Sequence, residues 1–393
     1  MPRIYFDNAA TSPINEVALQ ALVEQARAIG NPSSLHSYGR EARRSVEEAR
    51  ERIALLAECE PSEVIFTGSG TEANNLAIKG IYWHRLSENK KRKIIITSAF
   101  EHHAILDPIR WLAESEGAEI IEVPVDDSGY LKLDYLETAL ENRGSEVALI
   151  SIMHSNNEVG TIQPILEVVR LANKYEIPVH SDAIQSFGKI PLSFSELGLF
   201  AMTISAHKLG GPIGVGALIL KKGFDVTPLL HGGGQEREVR SGTLAAPQIA
   251  GFAAAIKVAV SQRFNRASRL TSLRKDLINK VMQTVPDVVL NGDPENRLPG
   301  NVHFTFKGCE GDAILMLLDA QGIECSTGSA CSAGIPQPSH VLLAMGRDEP
   351  TARGSIRFSF GTTSTPDDVT DVINVLPAVV ERARRAGKPA VKS

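Results

Sequence analysis

Short apolar runs rich in β-branched residues recur along the first two-thirds of the chain, at 64–66, 93–97, 148–152, 178–180, 201–204 and 215–220. Each is too short for an independent helix, and the segments between several of them carry helical periodicity. Ile165, Leu166, Val169 and Ala172, for example, share one helix face within 165–175, as a crossover helix packed on a sheet requires. Such alternation specifies an α/β domain with a mostly parallel central sheet. In that architecture ligand-binding groups collect beyond the carboxyl ends of the strands.

After about residue 262 the pattern changes to a long charged helix near 264–285, short strands, a loop rich in Gly, Ser and Cys, and two C-terminal helical stretches. This texture predicts a second, α+β domain. The boundaries expected are 15–262 for the large domain, and 1–14 with 263–393 for the smaller one. The last residues, 385–393, are basic with nothing to bury and are read as a disordered tail.

The 393 residues, 43% of them hydrophobic, suffice for two unequal domains sharing an interface. Net charge is −5, and basic residues are dispersed except at 90–93 and the C-terminus, which argues against a nucleic-acid groove. No apolar stretch approaches the roughly 18 residues of a membrane span, and the N-terminal residues form no signal-peptide core, so a cytoplasmic location is expected. The four cysteines, Cys59, Cys309, Cys325 and Cys331, form no C-x-x-C pair, which points to neither a disulfide framework nor a structural metal. Cys59 and Cys309 read as small buried hydrophobes, and Cys325, ending a short apolar strand, reads the same way.

Five segments carry chemistry. In Thr67-Gly68-Ser69-Gly70-Thr71-Glu72 a strand meets small residues and then a helix, a junction whose backbone N–H groups and hydroxyls can cradle a phosphate or simply cap the helix. Asp182 ends an apolar strand, where a carboxylate needs a cationic partner such as a protonated pyridine nitrogen. Lys208 follows the next strand in Ser205-Ala206-His207-Lys208-Leu209-Gly210-Gly211, where an amine can form a Schiff base with an aldehyde cofactor and Ser205 and His207 can bind its phosphate. Arg357 lies in a short apolar strand, so a buried anion should face it, either a substrate carboxylate or an acidic residue of the chain. Cys331, amid small residues without apolar periodicity, is expected on a mobile loop that a substrate can reach.

Taken together, the ordered segments Gly30-Asn31-Pro32-Ser33-Ser34-Leu35-His36, Gly70-Thr71-Glu72-Ala73-Asn74-Asn75, Glu101-His102-His103-Ala104, Asn156-Asn157-Glu158-Val159-Gly160, His180-Ser181-Asp182-Ala183-Ile184-Gln185, Ser205-Ala206-His207-Lys208, Gly232-Gly233-Gly234-Gln235-Glu236-Arg237, Arg240-Ser241-Gly242-Thr243, Gly328-Ser329-Ala330-Cys331 and Ile356-Arg357-Phe358-Ser359 resemble the cysteine desulfurases. These belong to the class V, fold type I, pyridoxal-phosphate aminotransferases. The likeness spans nearly the whole chain. It implies a fold type I architecture, with Lys208 bonded to pyridoxal 5′-phosphate and Asp182 on the pyridine nitrogen. It places Gln185 and Asn157 near the ring oxygen and substrate, and His102 stacked on the ring as a possible proton carrier. Gly70, Thr71, Ser205 and His207 would hold the phosphate, and Thr243 would reach the phosphate of a partner subunit in a homodimer. Arg357 would bind the carboxylate of L-cysteine, with Asn157 beside it.

The resemblance further implies that Cys331 takes the substrate sulfur as a persulfide, leaving L-alanine. Lys208 would move the proton between Cα and the cofactor. The loop's continuation through Gln337-Pro338-Ser339-His340 is similar to the longer-loop members that deliver sulfur to an acceptor protein such as an iron–sulfur scaffold. Any transient iron–sulfur ligation would also fall to Cys331. A selenocysteine lyase or another class V aminotransferase would use the same Lys208 and Asp182. This sequence departs from the family pattern at Ala206, where many members have Gly, and at Glu238-Val239.

Overall fold

The apolar runs become strands because branched side chains pack well on a pleated, doubly covered surface. The structure of the protein, a computed structural model, describes residues 3–328 and 337–386. In chain order the strands are β1 (Ile4–Tyr5), β2 (Val64–Thr67), β3 (Ile94–Ser98), β4 (Glu119–Val123), β5 (Val147–Ser151), β6 (Val179–Asp182), β7 (Ala201–Ser205), β8 (Gly216–Leu220), β9 (Val288–Leu290), β10 (Asn301–Phe306), β11 (Ile323–Glu324) and β12 (Ser355–Ser359). Seven form one sheet in the order β2-β8-β7-β6-β5-β3-β4. Its strands run parallel except β8, which is antiparallel to both neighbours, β2 and β7. Because β2 and β7 are each antiparallel to β8, β2 points the same way as β3, β5, β6 and β7. Their carboxyl ends therefore meet at one edge of the sheet.

Two strand features differ from the sequence reading. β4 was not among the expected runs; it is an edge strand that includes Glu119 and Glu122 and is only partly covered. The segment 215–220 forms a strand as expected, but the ten residues between β7 and β8 are too few for a parallel crossover, so β8 returns antiparallel. The crossover helix around 165–175 is present as Ile165–Asn173, and the long charged helix as Arg263–Thr284. The C-terminal helix runs through Ala386, so Arg385 and Ala386 belong to it and not to a tail; 387–393 lie outside the described residues.

Both faces of the large sheet are covered by apolar clusters, one including Phe66, Ile96, Ile150 and Met202, the other Ile65, Leu76, Ile95 and Leu218. A separate core joins the N-terminal Ile4 and Phe6 to Leu273, Phe304, Ile356, Phe358 and Leu376. There β1 pairs with β11 in parallel, while β9, β10 and β12 form a three-stranded antiparallel sheet. No helix among the described residues is long and apolar enough to cross a membrane.

Two buried polar devices register the large sheet. His180 of β6 bonds Ser151 Oγ of β5 at 2.9 Å and Thr203 Oγ1 of β7 at 3.0 Å. Burial pushes its imidazole down to about 3, so it spans its neighbours as a neutral group. Glu236, fully buried, accepts from Arg50 Nη2 at 2.6 Å and Nη1 at 2.8 Å and from the Phe66 backbone N–H at 2.8 Å. This joins the helix Ser37–Ala57, the end of β2 and the loop leading to Arg240.

Removing one member of a buried ion pair leaves an uncompensated charge, at a cost of roughly 3–5 kcal/mol. Glu236→Ala should therefore lower the thermal unfolding midpoint markedly, whereas Arg50→Met with Glu236→Leu should recover most of the loss. Equal destabilisation by the single and double variants in a melting experiment would contradict this.

Candidate active site

A helix that begins directly after a strand presents unpaired backbone N–H groups at its first turn. Here β2 leads through Gly68 and Ser69 into the helix Gly70–Glu88, and Ser69 Oγ caps it by accepting from Glu72 N at 3.1 Å. The Glu72 carboxylate folds back onto Gly68 N at 2.7 Å and is held by Arg240 Nε at 2.8 Å. Two glycines keep the turn close. A Cβ on Gly70 would lie 2.4 Å from Ile184 Cδ1, and one on Gly216 would lie 2.8 Å from the Ser69 carbonyl carbon. The turn is thereby a close backbone cradle of the kind that holds phosphate oxygens.

Facing this turn is a cavity of about 260 Å³ lined by Gly70, Thr71, His102, Asn157, Asp182 and Gln185, and on the β7 side by Ser205, His207 and Lys208. Each comes from the carboxyl-end edge of the sheet. Thr243 and Arg357 do not line it, and Cys331 lies outside the described residues.

Asp182 terminates β6 and is buried, accepting from Asn74 Nδ2 at 2.7 Å and from Ile184 N at 2.9 Å. Desolvation raises its pKa, opposed by those two donors and by the nearby His102 and Lys208. A buried carboxylate that already engages two donors gains most from a further cationic donor. Lys208 Nζ donates to the carbonyls of Ala9 and Ala10, both at 2.6 Å, and burial together with Arg357 brings its amine down to about 8. Such an amine has a substantial neutral, nucleophilic fraction near neutral pH.

His102 caps the helix His103–Glu116 by accepting from Ala104 N at its Nδ1, at 3.0 Å. Burial lowers its pKa, and the neutral ring then carries its proton on Nε2. His207 meets Thr11 Oγ1 at 3.2 Å, and burial takes its pKa down to about 4. Thr243 is exposed, on the loop that follows Arg240.

Arg357 does meet an anion, and it is one of the chain's own. Nη2 bonds Asp7 Oδ1 at 2.6 Å and Nη1 bonds the Asn157 carbonyl at 2.9 Å, while Nε has no partner among the described residues. Asp7 is thus the acidic residue of the two anions that the sequence leaves open for Arg357.

The sequence reading assigned no role to three buried groups. Asn74 donates to Asp182 from the first turns of its helix. Glu101, directly before His102, accepts from Ser98 Oγ at 2.8 Å and Met153 N at 2.9 Å, and burial pushes its carboxyl up to about 8, so it sits neutral below the cavity. Glu158 accepts from Ser339 Oγ, and its Oε2 would lie 3.3 Å from a Cβ on Gly328. Polar residues inside apolar stretches were the available signal. Among the described residues no group of His, Cys, Asp and Glu is placed to hold a metal.

Residues 4–372 match the class V aminotransferase family. The chain belongs to that family. It is 52% identical over 387 residues to an IscS-like cysteine desulfurase of Mycobacterium tuberculosis, covering 98% of each chain. It is 45% identical to cysteine desulfurase IscS of Dictyoglomus turgidum, over 97% of this chain and 95% of that one. Among solved structures, a NifS-like protein superposes with a TM-score of 0.89 at 36% identity, covering 97% of this chain and 100% of the other. A structure described as SspA in complex with cysteine gives 0.78 at 33% identity over 91% and 98%. The cofactor is pyridoxal 5′-phosphate, and the residues present suit it: a buried carboxylate for a pyridinium, a glycine-walled helix start for a phosphate, and an amine with lowered pKa for an aldehyde.

Asn74→Ala removes one of the two donors from the Asp182 carboxylate. Loss of a hydrogen bond to a buried charge costs roughly 1.5–3 kcal/mol, which corresponds to cofactor dissociation about 10- to 100-fold tighter or weaker depending on which charge form the site then favours. Because the change raises the Asp182 pKa further and so weakens its hold on a pyridinium, the expected direction is weaker binding. Fluorescence titration of the apoprotein with the cofactor checks it, and unchanged affinity would separate Asn74 from the ring-binding carboxylate.

Proposed function

We propose that this protein is a cysteine desulfurase that binds L-cysteine, moves its sulfur onto Cys331 as a persulfide and releases L-alanine. The observation that carries the reading is the placement of Asp182 and Lys208 at the ends of the adjacent parallel strands β6 and β7, on one cavity with the Gly70 turn. The relatives named cysteine desulfurase and the SspA structure containing cysteine supply the substrate class.

Bound pyridoxal phosphate supplies an electron sink conjugated to the substrate Cα. Asp182 keeps the pyridine nitrogen protonated, and Asn74 and the Ile184 N–H hold that carboxylate in place. Gly70, Thr71, Ser205 and His207 hold the phosphate, with His207 neutral and able to donate or accept. Gln185 donates toward the ring oxygen, Asn157 toward the oxygen or the substrate, and His102 stacks on the ring. Lys208, its amine near 8, takes and returns a proton at the substrate Cα. Arg357 binds the substrate carboxylate through its uncommitted Nε or by exchanging Asp7 for it.

Cys331 is the sulfur-accepting nucleophile. The three described cysteines are free thiols, and burial raises each of them, Cys59 and Cys325 to about 12, so they form little thiolate. On the far side of the segment that bears Cys331, Ser339 donates to Glu158, next to Asn157 on the cavity. Ser326 also pairs with Arg357 of β12, with Arg357 N donating to Ser326 O at 2.6 Å. The supply of sulfur to an iron–sulfur scaffold or a thiolation carrier fits the IscS relatives.

The same reading gives a cytoplasmic homodimer with a large domain at 15–262 and a smaller one formed by 1–14 and 263–393. The separate core uniting Ile4 and Phe6 with residues from 270 onward favours that division, free thiols favour a reducing compartment, and the exposed Thr243, which does not line its own chain's cavity, favours a site completed across two subunits.

Three experiments test this. Lys208→Ala should abolish borohydride trapping of the cofactor, and Cys331→Ala should keep cofactor and substrate binding yet form no alkylatable persulfide and release no sulfide with an acceptor present. A persulfide label on Cys325, or sulfide release by Cys331→Ala near the wild-type rate, would refute the nucleophile assignment. Mixing Lys208→Ala with Thr243→Ala subunits should restore one intact cofactor site per dimer; a fully active monomer would exclude the shared site.

A further inference from the structure

Gln185 is the end of a short relay that leads away from the cofactor cavity. Its Nε2 donates to the Ala9 carbonyl at 2.9 Å, and its Oε1 accepts from Lys189 Nζ at 3.1 Å, one helical turn further along the chain. A carbonyl oxygen can only accept, so the amide nitrogen must sit on the Ala9 side. The Lys189 amine has hydrogens to donate whether charged or neutral, so the amide oxygen must sit on its side. With both ends committed, the second N–H of Nε2 remains for the cavity that Gln185 lines. The orientation of this amide, which sequence alone leaves ambiguous, is thereby fixed by two partners that cannot be exchanged.

Lys189 is not placed there by charge pairing. The charged groups that face it are Lys208 beyond β7, Arg357 of β12 and Arg266 of the helix Arg263–Thr284; burial and these three cations push its amine down to about 7. An amine among cations is held against their repulsion, and its hydrogen bond is to Gln185. Lys189 also lines a cavity of about 190 Å³ together with Gln185, Lys208, Arg266, Asn8 and Asn301.

We propose that Lys189 is a positioning residue for the cofactor: by donating to Gln185 Oε1 it fixes and polarises the Gln185 amide so that Nε2 gives a strong hydrogen bond to the cofactor ring oxygen. The inference rests on the reading of Gln185 as that oxygen's donor. A donor on the ring oxygen weakens the oxygen's hold on the proton it shares with the Lys208 nitrogen, and so lowers the pH at which that proton is lost. The protonated Lys189 strengthens the donor through the amide, because hydrogen bonds in a chain polarise one another.

The experiment is a pH titration of the visible absorbance of the cofactor-loaded protein, paired with the cofactor dissociation constant of the apoprotein. Loss or weakening of a hydrogen bond of about 1 kcal/mol corresponds to roughly 0.7 pH unit. Lys189→Met should therefore raise the absorbance midpoint by about half to one unit and weaken cofactor binding several-fold, while Lys189→Arg, which still donates, should stay near wild type. Gln185→Leu should raise the midpoint as well, and Lys189→Met added to Gln185→Leu should raise it no further. If Gln185→Leu shifts the midpoint and Lys189→Met does not, the positioning role is overturned while the Gln185 reading stands. If Gln185→Leu itself leaves the midpoint unchanged, the Gln185 reading fails and this inference with it. Additive shifts in the double variant would show Lys189 acting directly through its charge, which also overturns the proposal. Thermal melts confirm folding, and Lys189→Leu, which also cannot donate, replaces Lys189→Met should the latter not fold.

Discussion

The constraint on which the rest depends is a carboxylate placed where water cannot solvate it. Asp182 ends a central strand, with β5 on one side and β7 on the other. A strand end in the middle of a parallel sheet is flanked on both sides by further strand ends, so every residue that could compensate the charge arrives from a neighbouring carboxyl end or from the helix that follows it. Asn74 comes from the helix after β2, His102 from the segment after β3, and Lys208 from the turn after β7. The buried charge is tolerable only at the point where those segments converge. The convergence depends in turn on β2 running with β7, which the antiparallel β8 between them permits.

The charges around Asp182 are arranged by suppression more than by pairing. His102 and His207 are driven toward the neutral form, Glu101 is held protonated near neutral pH, and Lys208 is lowered toward it. Burial is the leading cause in each case. With both imidazoles and the Glu101 carboxyl driven toward their neutral forms, Asp182 is the carboxyl of the pocket whose charged form a bound cation would stabilise. Were Glu101 ionised, a second negative charge beside Asp182 would compete for the same cation.

Much of this arrangement was legible in the sequence because it is written in local contrast. An Asp ending a strand of Val and His, or a Lys among glycines after Met-Thr-Ile-Ser, stands out from its surroundings, and a polar residue that must be buried signals a ligand. The turn from β2 into its helix was legible for the same reason. What local contrast does not carry is the identity of a distant partner. Arg357 required an anion, and the strand alone could not say whether it was a substrate carboxylate or Asp7, which lies 350 positions earlier in the chain. Asn74 was visible within a motif yet silent as a ligand of Asp182, since the contact exists only once the helix after β2 packs over β6. The edge strand β4 escaped because two of its five residues are Glu and half its surface faces water, which blunts the apolar signal that marks a central strand. The return of β8 was recoverable from loop length, a constraint of chain geometry more than of side-chain pattern.

The second core explains why the N-terminal residues matter to chemistry carried by strands more than a hundred residues away. Phe6 is fully buried against Phe358 and Phe360, with ring centroids 6.3 and 4.7 Å apart, and this packing fixes the backbone that follows it. Asp7 then reaches Arg357, and the carbonyls of Ala9 and Ala10 receive Lys208, with Ala9 shared by Gln185. One short turn of chain at residues 7–10, anchored by apolar contacts in one core, thus sets the positions of an amine, an amide and a guanidinium at the edge of the other. A change in the relative placement of the two cores would move those three groups together, so the geometry of the site is set by packing between the cores as much as by the sheet that supplies its residues.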